Sequence, residues 1–244
     1  ATATKVAVYA LLRFVFTVIG PVIAYEDLPF GEIAMTLAVL GLLTGSFVAI
    51  FQQNVMRVLA YSSVAQIGYI LLGISLATMM GLKAGMLHLF NHALMKGALF
   101  MAVGCFFYRT KSVRLDDLRG IGRKMPWTFG AFVIAGLSLI GVPLTVGFVS
   151  KWYLVQATLE NGYWPLAVLV LGGSLLAVIY IWRVVEIAWF GNPSVRAADA
   201  TEAPLGLLIP TWALVLANLY FGTHTELTVG VADLAARTLL GGLQ

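Results

Sequence analysis

Apolar stretches of about twenty residues recur along nearly the whole chain, and twenty residues is the length at which a helix crosses the hydrocarbon of a bilayer. By that measure the predicted spans are 2–22, 31–51, 58–79, 84–107, 127–159, 163–190 and 204–222. Charged residues make up 11% of the sequence and mean hydropathy is +0.93. A soluble domain carries about a quarter charged residues, so the chain reads as an all-α polytopic membrane protein with about seven transmembrane helices. The fifth stretch is too long for one plain crossing and contains Gly141-Val142-Pro143. Proline removes a backbone donor and crowds the preceding turn, so this span is expected to be discontinuous, with Gly141, Pro143 and Gly147 marking the break. The tail after Gly222 has the apolar spacing of a surface helix.

Loop charges alternate. One set of loops holds Arg57, then Arg109, Lys111, Arg114, Arg119, Arg123 and Lys124, then Arg196; the other holds Glu26, Asp27, Glu32, Glu160 and Glu226, with Lys83 its only cation. The positive-inside rule places the first set and the N-terminus on the cytoplasmic side, and the C-terminus opposite. The excess of 15 Lys+Arg over 11 Asp+Glu therefore reports topology and gives no reason to expect nucleic acid. A single cysteine, Cys105, lies in an apolar run; it excludes a disulfide framework and a cysteine metal cluster and reads as a small packing residue. No signal peptide opens the chain, which enters as if partway through a helix, so it is expected to be the C-terminal portion of something longer.

Inside the spans a few ionisable residues stand out. His88, His92 and Lys96 are spaced i, i+4, i+8 and share one helical stripe in an otherwise apolar stretch. A lysine at mid-bilayer costs on the order of 3 kcal/mol or more by insertion scales, so it needs an internal partner or a hydrated cavity. Such a row suits a proton relay, in which imidazoles exchange protons near neutral pH and an amine removed from water gives up its proton more readily. The plainer reading is histidines bonded across a helix interface, with Lys96 reaching an edge. His88 and His92 have metal-compatible spacing, but no glutamate adjoins the first histidine as in the zinc-protease pattern. No metal and no cofactor is expected.

Lys151 follows the break, and irregular backbone at membrane depth survives only beside protein or a water-filled cavity. Lys151 is read as a second relay residue, against a packing kink with its amine reaching the interface near Trp152 and Tyr153. Lys5 and Arg13 share a face of the first span; Lys5 is either mid-membrane or an interfacial anchor, and Arg13 should face protein or a cavity. Arg183 and Glu186, three apart, read first as an intrahelical ion pair and otherwise as accessory positions on a proton entry. No phosphate loop, nucleotide-binding turn or hydrolase triad is present, so no catalytic site is expected in the chain itself.

Four segments carry a resemblance: Thr4 to Arg13, Arg57 to Tyr69, His88 to Lys96, and Gly141 to Lys151. They resemble, in order and over nearly all of the chain before about residue 192, the antiporter-like membrane subunits shared by respiratory complex I, membrane-bound hydrogenases and Mrp-type sodium/proton antiporters. Phe90-Asn91-His92-Ala93-Leu94-Met95-Lys96-Gly97 looks most like the D-type component of Mrp antiporters. The resemblance implies that the chain corresponds to the family's eighth to fourteenth spans. Residues 1–25 would be the span before a repeat, 26–192 a five-helix proton-translocating repeat of an inverted pair, and 193–244 the last span and tail. It also implies that Lys5 is the family's mid-membrane lysine of the eighth span, that His88, His92 and Lys96 match the relay of the eleventh, and that Lys151 matches the basic residue of the broken twelfth. Asn54-Val55-Met56 stands where the family usually has an acidic and a basic residue before Arg57.

The expected function is that of a subunit moving protons, or cations against protons, through a buried Lys/His relay in the cell (inner) membrane. Its expected partners are other membrane subunits, the N-terminal half of the fold, the bilayer, protons and sodium ions. The alternatives are a quinone- or haem-holding redox subunit, or a non-conducting structural subunit.

Overall fold

The computed structural model describes residues 2–241 and is a helical bundle; among these residues no strand forms beyond an isolated antiparallel bridge between Asn54 and Arg114. The helices are α1 (Thr2–Arg13), α2 (Phe30–Phe51), α3 (Val55–Ser75), α4 (Met79–Thr110), α5 (Ile121–Lys124), α6 (Pro126–Ile140), α7 (Val146–Glu160), α8 (Trp164–Phe190), α9 (Val195–Ala198), α10 (Leu205–Thr223) and α11 (Glu226–Leu240). Five of them (α2, α3, α4, α8 and α10) are long and apolar enough to cross a membrane, and α6 is a shorter apolar helix. Large apolar side chains such as Phe47, Leu175, Trp182 and Leu216 point outward, as lipid-facing residues do.

Helix ends follow local chemistry. The Asn54 side chain accepts hydrogen bonds from the backbone N–H of Met56 and Arg57 at 2.9 and 3.2 Å, capping α3. Thr78 caps α4 through Gly81 N–H at 3.1 Å. With that cap, α4 runs 32 residues, beyond the expected 84–107, from Met79 through Arg109 and Thr110. α4 is central: it packs against α3, α6, α7, α10 and α11. Small residues let the backbones meet. A Cβ on Gly73 would stand 2.7 Å from the carbonyl oxygen of Gly81, so α3 and α4 touch directly there.

The expected discontinuous span is present as α6 and α7, separated at Gly141–Thr145. Gly141 closes α6 at φ +98°, a left-handed conformation that favours glycine, and Pro143 lies in the turn. Gly147 then packs against α6 so closely that a Cβ would fall 1.8 Å from the Ser138 carbonyl oxygen.

The first span differs from the single helix expected over 2–22. α1 ends at Arg13 and continues as a π-helix over Phe14–Ile19, which stops at Gly20 (φ +89°); a second π segment covers Ile23–Asp27. Gly20 and Pro21 supply the punctuation, the one by its left-handed backbone and the other by its missing N–H. The tail forms α11, whose Asp233 pairs with Lys83 of α4 at 3.4 Å.

Candidate functional site

α4 brings its polar stripe inside the bundle: His88, His92 and Lys96 are 1%, 0% and 0% exposed. The Lys96 amine donates to the Leu59 carbonyl at 2.7 Å and to the Ser62 hydroxyl at 2.5 Å, both on α3. Ser62 and Leu59 are presented here because α3 packs flush against α4.

His88 joins three helices. Its Nε2 lies 3.0 Å from Gln66 Oε1 on α3, and its Nδ1 lies 2.7 Å from Ser150 Oγ on α7. An amide oxygen only accepts, so this pairing uses Nε2 as a donor; the Ser150 hydroxyl can donate to Nδ1 in the neutral ring or accept from it in the imidazolium. The ring of His92 stacks on that of His88, with centroids 6.2 Å apart and planes 11° from parallel. Neither nitrogen of His92 has a hydrogen-bond partner among the described residues. Asn91, on the adjoining face, donates to the Val146 carbonyl at the start of α7 at 2.7 Å, tying the stripe to the broken helix.

Lys151, 6% exposed, folds back onto the break. Its amine donates to the carbonyls of Leu139 and Ile140 at 2.9 and 2.8 Å and to Ser174 Oγ on α8 at 3.0 Å, and it lies 4.8 Å from the centroid of the Tyr69 ring. The last carbonyls of a helix have no partner within it and carry the negative end of its dipole. Breaking the span thus creates the acceptors that hold the amine.

Lys5 is less enclosed, but its Nζ atom is buried without a hydrogen-bond partner among the described residues. Among the described residues the lysine in an ion pair is Lys83; Lys5, Lys96 and Lys151 have no carboxylate within 4.0 Å. Carbonyls and hydroxyls can hold an ammonium group yet leave no uncompensated anion when it discharges, which a carboxylate partner would. This arrangement suits groups that gain and lose protons.

Other expected positions separate from this cluster. Arg13 is exposed on the surface of the chain, the side open to a protein partner. Arg183 and Glu186 form no ion pair. The guanidinium instead donates to the carbonyls of Ile50 and Gln52 at the end of α2, because those free helix-end oxygens lie within its reach and hold it better than a solvated carboxylate one turn away. Cys105 is buried, its sulfur 3.8 Å from the Thr211 hydroxyl, in keeping with a packing role.

The sequence reading missed Ser62, Gln66, Ser150 and Ser174 as partners of the stripe. A signal existed: Ser62 and Gln66 are polar, four apart and inside an apolar span, so they share a face.

The bundle, with its interrupted helix and interior basic groups, defines a multi-pass helical membrane protein with a polar core row. The chain belongs to the family of membrane proteins described as "NADH:quinone oxidoreductase/Mrp antiporter, TM", which residues 1–177 match. It is 40% identical over 241 residues to NADH-quinone oxidoreductase subunit N of Desulforudis audaxviator, covering 93% of this chain and 47% of that protein. It is 31% identical over 241 residues to the D-type component of the Na(+)/H(+) antiporter of Bacillus subtilis, covering 98% and 48%. Its structure is similar to a chain of the Mrp complex from Dietzia sp. DQ12-45-1b, with a TM-score of 0.86, 26% identity and coverage of 97% and 51%. The chain spans about half the length of these relatives.

Proposed function

We propose that the chain is part of a cation/proton-translocating complex in the cell membrane, and that protons pass from Lys5 through Lys96, His92 and His88 to Lys151, with residues 26–192 as the conducting repeat. The supporting observation is that three lysine amines point into the bundle without a carboxylate partner, two of them held by carbonyl and hydroxyl oxygens. The unpaired nitrogens of His92 and Lys5 are sites at which water would complete the row, since buried polar groups otherwise lack compensation. Coupling between amines is electrostatic. A charge arriving on one raises the free energy of protonating another by about 1–2 kcal/mol at roughly 10 Å, for an effective dielectric near 20. The names of the relatives, one a component of NADH-quinone oxidoreductase and one a component of a Na(+)/H(+) antiporter, support other membrane subunits as partners and protons or sodium ions as cargo.

The deciding experiment is Lys151→Ala in the complete membrane complex reconstituted into liposomes. Loss of ion transport in an assembled complex is expected; transport at the parent rate would remove Lys151 from the path.

A further inference from the structure

Tyr180 on α8 is 1% exposed and packs its ring in the main apolar core. Its hydroxyl faces Ser62 and Gln66 of α3 but makes no hydrogen bond of standard geometry to any described residue. A buried tyrosine hydroxyl ordinarily finds a partner, and a phenylalanine would fill the same core without stranding a polar atom. The position of the hydroxyl is informative. Ser62 holds Lys96, Gln66 holds His88, and the two acceptors stand one helical turn apart on α3. Between the lysine half and the histidine half of the row stands one phenolic O–H.

We propose that Tyr180 is a positioning residue of the relay, whose hydroxyl turns between Ser62 and Gln66 according to the charge on Lys96 and so passes the state of Lys96 to His88. While Lys96 is charged, its ammonium donates to the Ser62 oxygen and repels the positive end of the phenolic O–H. The hydroxyl then donates to Gln66 Oε1 and shares that oxygen with His88 Nε2–H. When Lys96 discharges, the Ser62 hydroxyl, which donates to the Leu59 carbonyl at 3.1 Å, can turn to the amine instead, and the Ser62 oxygen, relieved of the ammonium, accepts from Tyr180. Gln66 Oε1 then belongs to His88 alone, and the imidazole is held more firmly. The phenolic proton stays on Tyr180 throughout; only its direction changes. This inference rests on the relay reading of Lys96 and His88.

The test uses the complete membrane complex in liposomes, with transport rate followed across pH. The ionisable group facing Tyr180 is Tyr69 on α3; Lys96 and His88 are reached through Ser62 and Gln66 and Lys151 through Tyr69, and Tyr180→Phe leaves all of them in place. The variant is expected to assemble, to transport roughly fivefold more slowly, as loss of one buried hydrogen bond implies, and to show a displaced pH–rate profile. A parent-like rate and profile overturn the proposal. Lys96→Ala is measured in parallel: if it is inactive while Tyr180→Phe is parent-like, the tyrosine role falls and the relay stands, whereas a fully active Lys96→Ala overturns both. Should Tyr180→Phe assemble poorly, 3-fluorotyrosine at position 180 keeps the shape and alters the strength of the hydroxyl as a donor; an unchanged profile then overturns the proposal as well.

Discussion

The Lys151 amine lies 2.8 Å from the carbonyl oxygen of Ile140, the last residue of α6. The helix break and the basic residue are therefore one device, since an unbroken helix would have used that carbonyl for its own ladder. The break thereby adds helix-end acceptors to the hydroxyl of Ser174.

The same closeness makes Gly147 intolerant of any side chain. Gly147→Ala would put a Cβ 1.8 Å from the Ser138 carbonyl oxygen, forcing α6 and α7 apart. Overpacking of this kind typically destabilises by about 1–3 kcal/mol. A lower melting temperature in detergent, with reduced recovery of assembled complex, is the expected outcome; wild-type melting would show that the hairpin relaxes freely.

Ser62 is expected to matter through Lys96 and not through packing. Ser62→Ala removes one of two acceptors from the amine, and a hydrogen bond to a charged group is worth about 1.5–3 kcal/mol. Transport in liposomes should slow by roughly tenfold, and the melting temperature of the complex should fall by a few degrees; an unchanged transport rate would separate Ser62 from the path.

Much of this was legible in the sequence, for identifiable reasons. A lysine in an apolar span has few physical options, so Lys96 and Lys151 could be picked out from hydropathy alone, and the helix break could be read from Gly141 and Pro143. The acceptors were harder to see, because Ser and Gln are tolerated in any helix interface and acquire meaning only from what faces them. Arg183 deceived for a related reason: i, i+3 spacing makes a local ion pair easy to draw, whereas the carbonyls that capture it come from a distant stretch of sequence, at Ile50 and Gln52. The π segments after Arg13 arise where a glycine and a proline interrupt an apolar run, and apolar length alone conceals that. The motif Phe90–Gly97 looked like the Mrp D-type component, and proteins of that type and of the oxidoreductase N type both appear among the relatives.

Asn54 gives a third expectation. Its side chain satisfies two backbone N–H groups at the start of α3, and Asn54→Ala should destabilise by about 1 kcal/mol. Faster hydrogen exchange confined to the first turn of α3 would report it; Asn54→Asp should preserve the cap, because a carboxylate accepts the same bonds.

The surface helix α11 supplies a pH dependence. The carboxyl of Asp233 is held below its ordinary value of 3.8, first by the hydrogen bond from Arg237 and further by the charges of Arg237 and Lys83. A carboxyl depressed in the folded state contributes stability that is complete above its ordinary value and is lost as pH falls through the lowered one. The grip of α11 on α4 through Lys83 and Asp233 should therefore be unaffected near pH 6 and loosen below about pH 4. Hydrogen exchange of the α11 amides across this range checks the direction, and Asp233→Asn should show the loosened pattern at every pH.

Where Gly73 meets Gly81, two main chains touch with no side chain to cushion them. Sliding one rod past the other at that spot would drive peptide groups into each other, so the contact pins the hairpin end of α3 and α4. On the relay proposed above, switching would fall to hydroxyl rotors and ring flips, which need no movement of that contact.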